Sequence, residues 1–118
     1  MFTPSDIGNL FDIASLRIAP GDEQSNILLE TNALRFERIV SNDHATPPDT
    51  WYCQEEAEWV LLTKGSAEIE YDTGEKLSLD AGDYIFIPSG IKHRVRSTSA
   101  CPDPAIWLAI FIKNPNTL

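Results

Sequence analysis

At 118 residues the chain is long enough for one domain with its own core and too short for two. Eighteen acidic against nine basic side chains leave a net charge of -9, which makes nucleic acid and anionic membranes poor partners. No apolar run approaches the roughly 20 residues of a bilayer span, and no basic-then-apolar leader opens the sequence, so a cytoplasmic protein is expected.

Short apolar runs broken by Gly, Pro, Asp and Asn recur, without a sustained helical period, which predicts an all-β sandwich or barrel. Residues 6–16 read as a short helix or as an arm able to add a strand to a neighbouring subunit. Residues 26–30 and 34–40 read as strands around the turn-rich spacer Thr31-Asn32-Ala33. Further strands are expected over 59–63, 67–71, 76–79 and 84–87. The spacers Asp72-Thr-Gly-Glu75 and Asp80-Ala-Gly-Asp83 between the last three read as hairpin turns. Residues 94–97 and 106–113 complete the set. The last run is the most apolar, with Trp107, Ala109 and Phe111 on one face and Ile106, Leu108 and Ile110 on the other. One domain is expected, with 1–33 as arm and first strands, 34–113 as barrel and 114–118 as tail. Cys53 and Cys101 form neither a metal motif nor a disulfide framework and read as free thiols.

Gly82, Pro88, Gly90 and His93 fall on the pattern Gly, five residues, Pro-x-Gly, two residues, His, with Ser97 where Asn is usual. Upstream, Glu58 and Gly65 carry the spacing of a second motif, whose two histidine positions hold Tyr52 and Gln54 at three-residue spacing, the preferred register, or Trp51 and Cys53 at four. Together these resemble the two motifs of the cupin family, and Trp51-Tyr-Cys-Gln54 before Glu58-Trp-Val60 resembles a subgroup of small cupins. The resemblance implies a double-stranded β-helix (jelly-roll, RmlC-like) barrel and, as in many small cupins, a homodimer. It also implies one divalent ion, Fe, Mn, Ni or Zn, at Gln54, Glu58 and His93, where the usual set has three imidazoles and one carboxylate.

Strand alternation then turns Tyr52, Gln54, Glu58 and His93 inward, with Val95 and Ser97 beside His93 and with Arg94 and Arg96 outside. An amide oxygen, a carboxylate and an imidazole would hold a metal less tightly than the usual set, and the bland alternative is a metal-free hydrogen-bonded network. Arg38 is a pocket candidate: facing inward it needs Glu58 or a ligand carboxylate, and facing outward it pairs at a subunit surface. His44 reads as a solvated loop residue and Cys53 as a thiol pointing away from the site. Two functions stay open, a metal-dependent enzyme on a small molecule or a non-catalytic binding module. A metal-free acid/base pair of His93 and Tyr52 is a variant of the first.

Overall fold

The computed structural model describes residues 7–114, which hold eight strands and no helix. They are β1 (Glu23–Glu30), β2 (Leu34–Ser41), β3 (Ala57–Lys64), β4 (Ser66–Tyr71), β5 (Lys76–Asp80), β6 (Tyr84–Ile87), β7 (His93–Thr98) and β8 (Ala105–Ile112). Two antiparallel sheets result, in the orders β1-β2-β8-β3-β6 and β5-β4-β7. The residues ahead of β1 that are described form an arm with turns. Asp6, where the predicted helix or arm begins, lies outside the described residues.

The most apolar strand takes the central place. β8 pairs with β2 on one side and β3 on the other, so both of its edges are hydrogen-bonded within the sheet. Trp107, Ala109 and Phe111 point between the sheets with Val60, Leu62, Ile69 and Leu79, forming one core in which Leu62 and Ala109 are wholly buried. Removing that surface from water is the main stabilising term. Gly65 turns β3 into β4 at φ 84°, and a Cβ there would stand 2.5 Å from Ser99 Oγ and 2.7 Å from the Pro104 carbonyl oxygen. Only glycine fits both the backbone and the space.

Two expectations about connections change. Asp72–Glu75 is a hairpin turn between β4 and β5, but 80–83 is not, because β5 pairs with β4 while β6 crosses to pair with β3. The same Gly-containing turn chemistry therefore carries the chain from one sheet to the other. On β7 the inward alternation holds for His93 and Val95 and then breaks. Val95 pairs with Ile69 but Ser97 pairs with Glu68, leaving Arg96 as a bulge. Ser97, expected inside, lies exposed outside, and Thr98 takes the buried position opposite Ala67.

Candidate functional site

One end of the space between the sheets opens as a cavity of about 270 Å³, lined by residues from β1, β2, β3, β7, β8 and the 51–56 segment. Tyr52, Gln54, Glu58 and His93 all line it, so four of the five residues singled out in the sequence come together. The segment bearing Tyr52 and Gln54 is held by backbone bonds. Tyr52 and His93 exchange N–H···O bonds of 2.8 and 3.0 Å, and Gly90 N–H donates to the Gln54 carbonyl at 2.9 Å. Arg94 clamps the preceding loop from outside: its guanidinium bonds the Pro48 carbonyl oxygen and Glu70 and lies 4.5 Å over the Trp51 ring.

His93 is buried, and its Nδ1 lies 2.9 Å from the Ile91 carbonyl oxygen. A carbonyl only accepts, so Nδ1 carries a proton and Nε2 is the nitrogen that faces the cavity. Glu58 Oε1 is 3.7 Å from that Nε2. This is too long for a hydrogen bond, and both groups face the same space. Glu58 sits between Phe111 on β8 and Ile87 on β6 in the sheet register, and its side chain is only 12 % exposed. Burial among these neighbours pushes its carboxyl up to about 7, and the negative charges of Glu37, Glu56 and Glu23 push the same way against Arg35. Near neutral pH Glu58 thus exchanges between acid and base. Tyr52 is less intimately placed, 39 % exposed with its ring centroid 6.0 Å from that of His93.

Arg38 is not at the cavity. It lies on the outer face of β2, where its guanidinium bonds the Leu10 and Asp12 carbonyls and Asn26 Oδ1 and pins the arm to the sheet. Arg35, one parity step away, is the cationic group that lines the cavity. It is bonded to Glu37 at 2.6 Å, to both Glu56 oxygens at 2.9 Å, and stacked 4.4 Å over Phe111. Glu23 and Glu37 also line the space and were not foreseen. His44 is no solvated loop residue: its Nδ1 meets the Gly21 carbonyl oxygen at 3.0 Å and its Nε2 lies 3.5 Å from Glu23. Cys53 is exposed and directed at the Gly90 carbonyl oxygen, and both cysteines are free.

Comparison with known proteins agrees with this architecture. The cupin domain model matches residues 43–111, more than half of the chain. The chain belongs to the cupin family. A protein from Ralstonia eutropha provisionally named a mannose-6-phosphate isomerase is similar at 37 % identity, with 91 % of this chain and 97 % of that one covered and a TM-score of 0.81. An RmlC-like cupin from Shewanella frigidimarina shares the fold at 18 % identity and a TM-score of 0.64, covering 78 % and 77 % of the two chains. A conserved protein of unknown function from Streptococcus pyogenes does so at 18 % identity and 0.71, covering 95 % and 90 %. No curated protein matches this cupin. Among the described residues no helix is long and apolar enough to cross a membrane.

Metal binding is common among cupins, and the donor set at this cavity is poor for it. Among the described residues no three His, Cys, Asp or Glu side chains converge as metal ligands. The motif positions at the cavity offer one imidazole, one carboxyl whose ionisation burial disfavours, and the uncharged amide of Gln54, while Glu37 is taken up by Arg35. Two ionisable donors and an amide do not fit a tightly held divalent ion, which draws on several imidazoles or charged oxygens.

Proposed function

We propose that this cupin is a small-molecule enzyme in which Glu58 and His93 form a general acid/base pair that moves protons on a ligand in the cavity. One observation carries the reading: a buried carboxyl with a pKa of about 7 faces, at 3.7 Å, the Nε2 of a histidine whose other nitrogen is committed to a backbone carbonyl. A proton-transfer group is most effective when its pKa lies near the working pH, and pairs of unequal groups divide the acid and base roles. For a carbonyl substrate, His93 Nε2 takes the proton from the carbon next to the carbonyl. Protonated Glu58 gives its proton to the carbonyl oxygen. In the resulting enediol or enaminol, His93 gives its proton to the former carbonyl carbon while ionised Glu58 takes the proton of the neighbouring hydroxyl or amine, which restores both groups and needs no external oxidant or reductant. The isomerase name of the Ralstonia relative supports this class of chemistry, because isomerisation of a hydroxy-carbonyl compound is such a two-proton exchange.

A divalent ion on Gln54, Glu58 and His93, implied by the family resemblance, has no part in this reading because the donor set is too weak. The test is solvent exchange. The protein is incubated in D2O with a panel of hydroxy- and amino-carbonyl compounds, and NMR follows deuterium entering the carbon next to the carbonyl. Exchange is expected with the native protein, with a loss of about 100-fold or more in Glu58→Gln and in His93→Gln. Equal exchange in both variants, or exchange that tracks added metal, contradicts the proposal.

Self-association is also proposed, with a second copy as the partner. A row of apolar side chains crosses the outer face of the larger sheet in register, Leu29, Phe36, Ile110, Trp59 and Phe86, and Leu29 and Phe86 are about half exposed. Such a face favours pairing of copies even though their net charges repel. Sedimentation of the native protein is expected to show a dimer and Phe86→Glu a monomer. A monomeric native protein contradicts this.

A further inference from the structure

Three carboxyl groups, Glu23, Glu37 and Glu58, face the cavity, and Glu56 stands behind Arg35 at its edge. The guanidinium that lines the cavity is already committed. Arg35 spends its Nε on Glu37 and both terminal nitrogens on Glu56. His44 is not among the lining residues, its Nε2 lying 3.5 Å from Glu23, and His93 Nδ1 donates to the Ile91 carbonyl. No helix among the described residues turns an N-terminus toward the space. The electrostatic environment is therefore acidic, with no guanidinium or ammonium left over for an anion.

The walls are apolar and aromatic, with Tyr52, Trp107 and Phe111 among them. The chain itself displays the recognition mode: the Arg35 guanidinium lies 4.4 Å over Phe111 with carboxylates at its edges. A cation in an aromatic, carboxylate-flanked space gains from both the ring faces and the net negative field. Metal ions need convergent lone pairs, and an organic cation does not. A volume of about 270 Å³ places the cavity at the small end of ligand sites.

We propose that the cavity takes a small organic cation, an amine or quaternary ammonium compound, and rejects phosphate monoesters. This deepens the reading of the cavity as a substrate site and separates this cupin's ligand from the sugar phosphate in the Ralstonia relative's name. A phosphate ester would bring a dianion beside Glu23 and Glu37 with no free guanidinium or ammonium to receive it.

Calorimetric titration of the full-length protein tests it with choline, with its uncharged isostere 3,3-dimethyl-1-butanol, with mannose 6-phosphate and with MnCl2. Choline is expected to bind about tenfold more tightly than the isostere, and mannose 6-phosphate not to saturate the site. Added NaCl should weaken choline and leave the isostere unchanged. Glu23→Gln, a partly exposed position checked for folding by circular dichroism, should remove most of the preference. Absent choline binding, equal or tighter binding of the isostere, saturable binding of the sugar phosphate, or Mn2+ binding more tightly than choline would each overturn the assignment. Binding is read here without turnover and deuterium exchange is read without choline, so failure of the cation proposal leaves the acid/base reading intact, and the reverse.

Discussion

Glu58→Gln should stabilise the protein at high pH and leave it unchanged at low pH. The folded state raises the Glu58 carboxyl from 4.5 to about 7, so the fold prefers the protonated form. Below the unfolded value both states are protonated and the group costs nothing. As pH rises from 4.5 toward 7 the unfolded chain ionises first, and stability falls. Above the folded value the full penalty is present, about 3 kcal/mol for a shift of this size. This is the reverse of a salt-bridged carboxylate, whose contribution is lost as pH falls. Glutamine keeps the shape and cannot ionise, so the variant escapes the penalty. Urea unfolding of both proteins from pH 4 to pH 9 reads it directly. The difference in unfolding free energy should be near zero at the acid end and grow to about 3 kcal/mol in favour of the variant at the alkaline end. A difference that does not change with pH, or a variant less stable than the native protein above pH 7, would refute the reasoning. The second outcome would mean that the ionised carboxylate has a cationic partner the account omits.

Other substitutions probe the supports of the site. Arg35→Met removes a positive charge that lowers the Glu58 carboxyl, so the pH-dependent loss of stability should still begin near the unfolded value but extend to higher pH and grow larger; an unchanged upper limit would show that Arg35 does not act on Glu58. Gly65→Ala places a Cβ against Ser99 and the Pro104 carbonyl at positive φ and should cost about 2–4 kcal/mol in urea unfolding, whereas a loss below 1 kcal/mol would contradict the close approach. Leu62→Ala empties a wholly buried core position, with an expected loss of about 2–5 kcal/mol by the same assay.

The barrel was legible because turn residues and apolar alternation repeat along the chain, and all eight strands appear near their expected places. What alternation could not supply was pairing. Nothing local distinguishes the 72–75 turn, which closes a hairpin, from 80–83, which changes sheets, since both present a Gly at positive φ. The bulge at Arg96 likewise carries no residue signal and inverts the parity of Ser97.

The site divides in the same way. Tyr52, Gln54, Glu58 and His93, which the motif spacing singled out, line one cavity. Strand β2 carries arginine on both faces, Arg35 inside and Arg38 outside, so period-two reading alone does not choose between them. The choice is made by non-local partners, Phe111 and Glu56 for Arg35, and the N-terminal arm for Arg38. The raised pKa of Glu58 is non-local too. It depends on Ile87 and Phe111 flanking it in the sheet and on acids from three separate segments.

The most direct test of the acid/base account is a carbon-13 NMR titration of the Glu58 side-chain carboxyl in the native protein, assigned by its loss in Glu58→Gln. The account predicts a midpoint near 7. A midpoint at or below the ordinary 4.5 would mean that Glu58 is a permanently ionised carboxylate at neutral pH and would contradict its role as the proton donor.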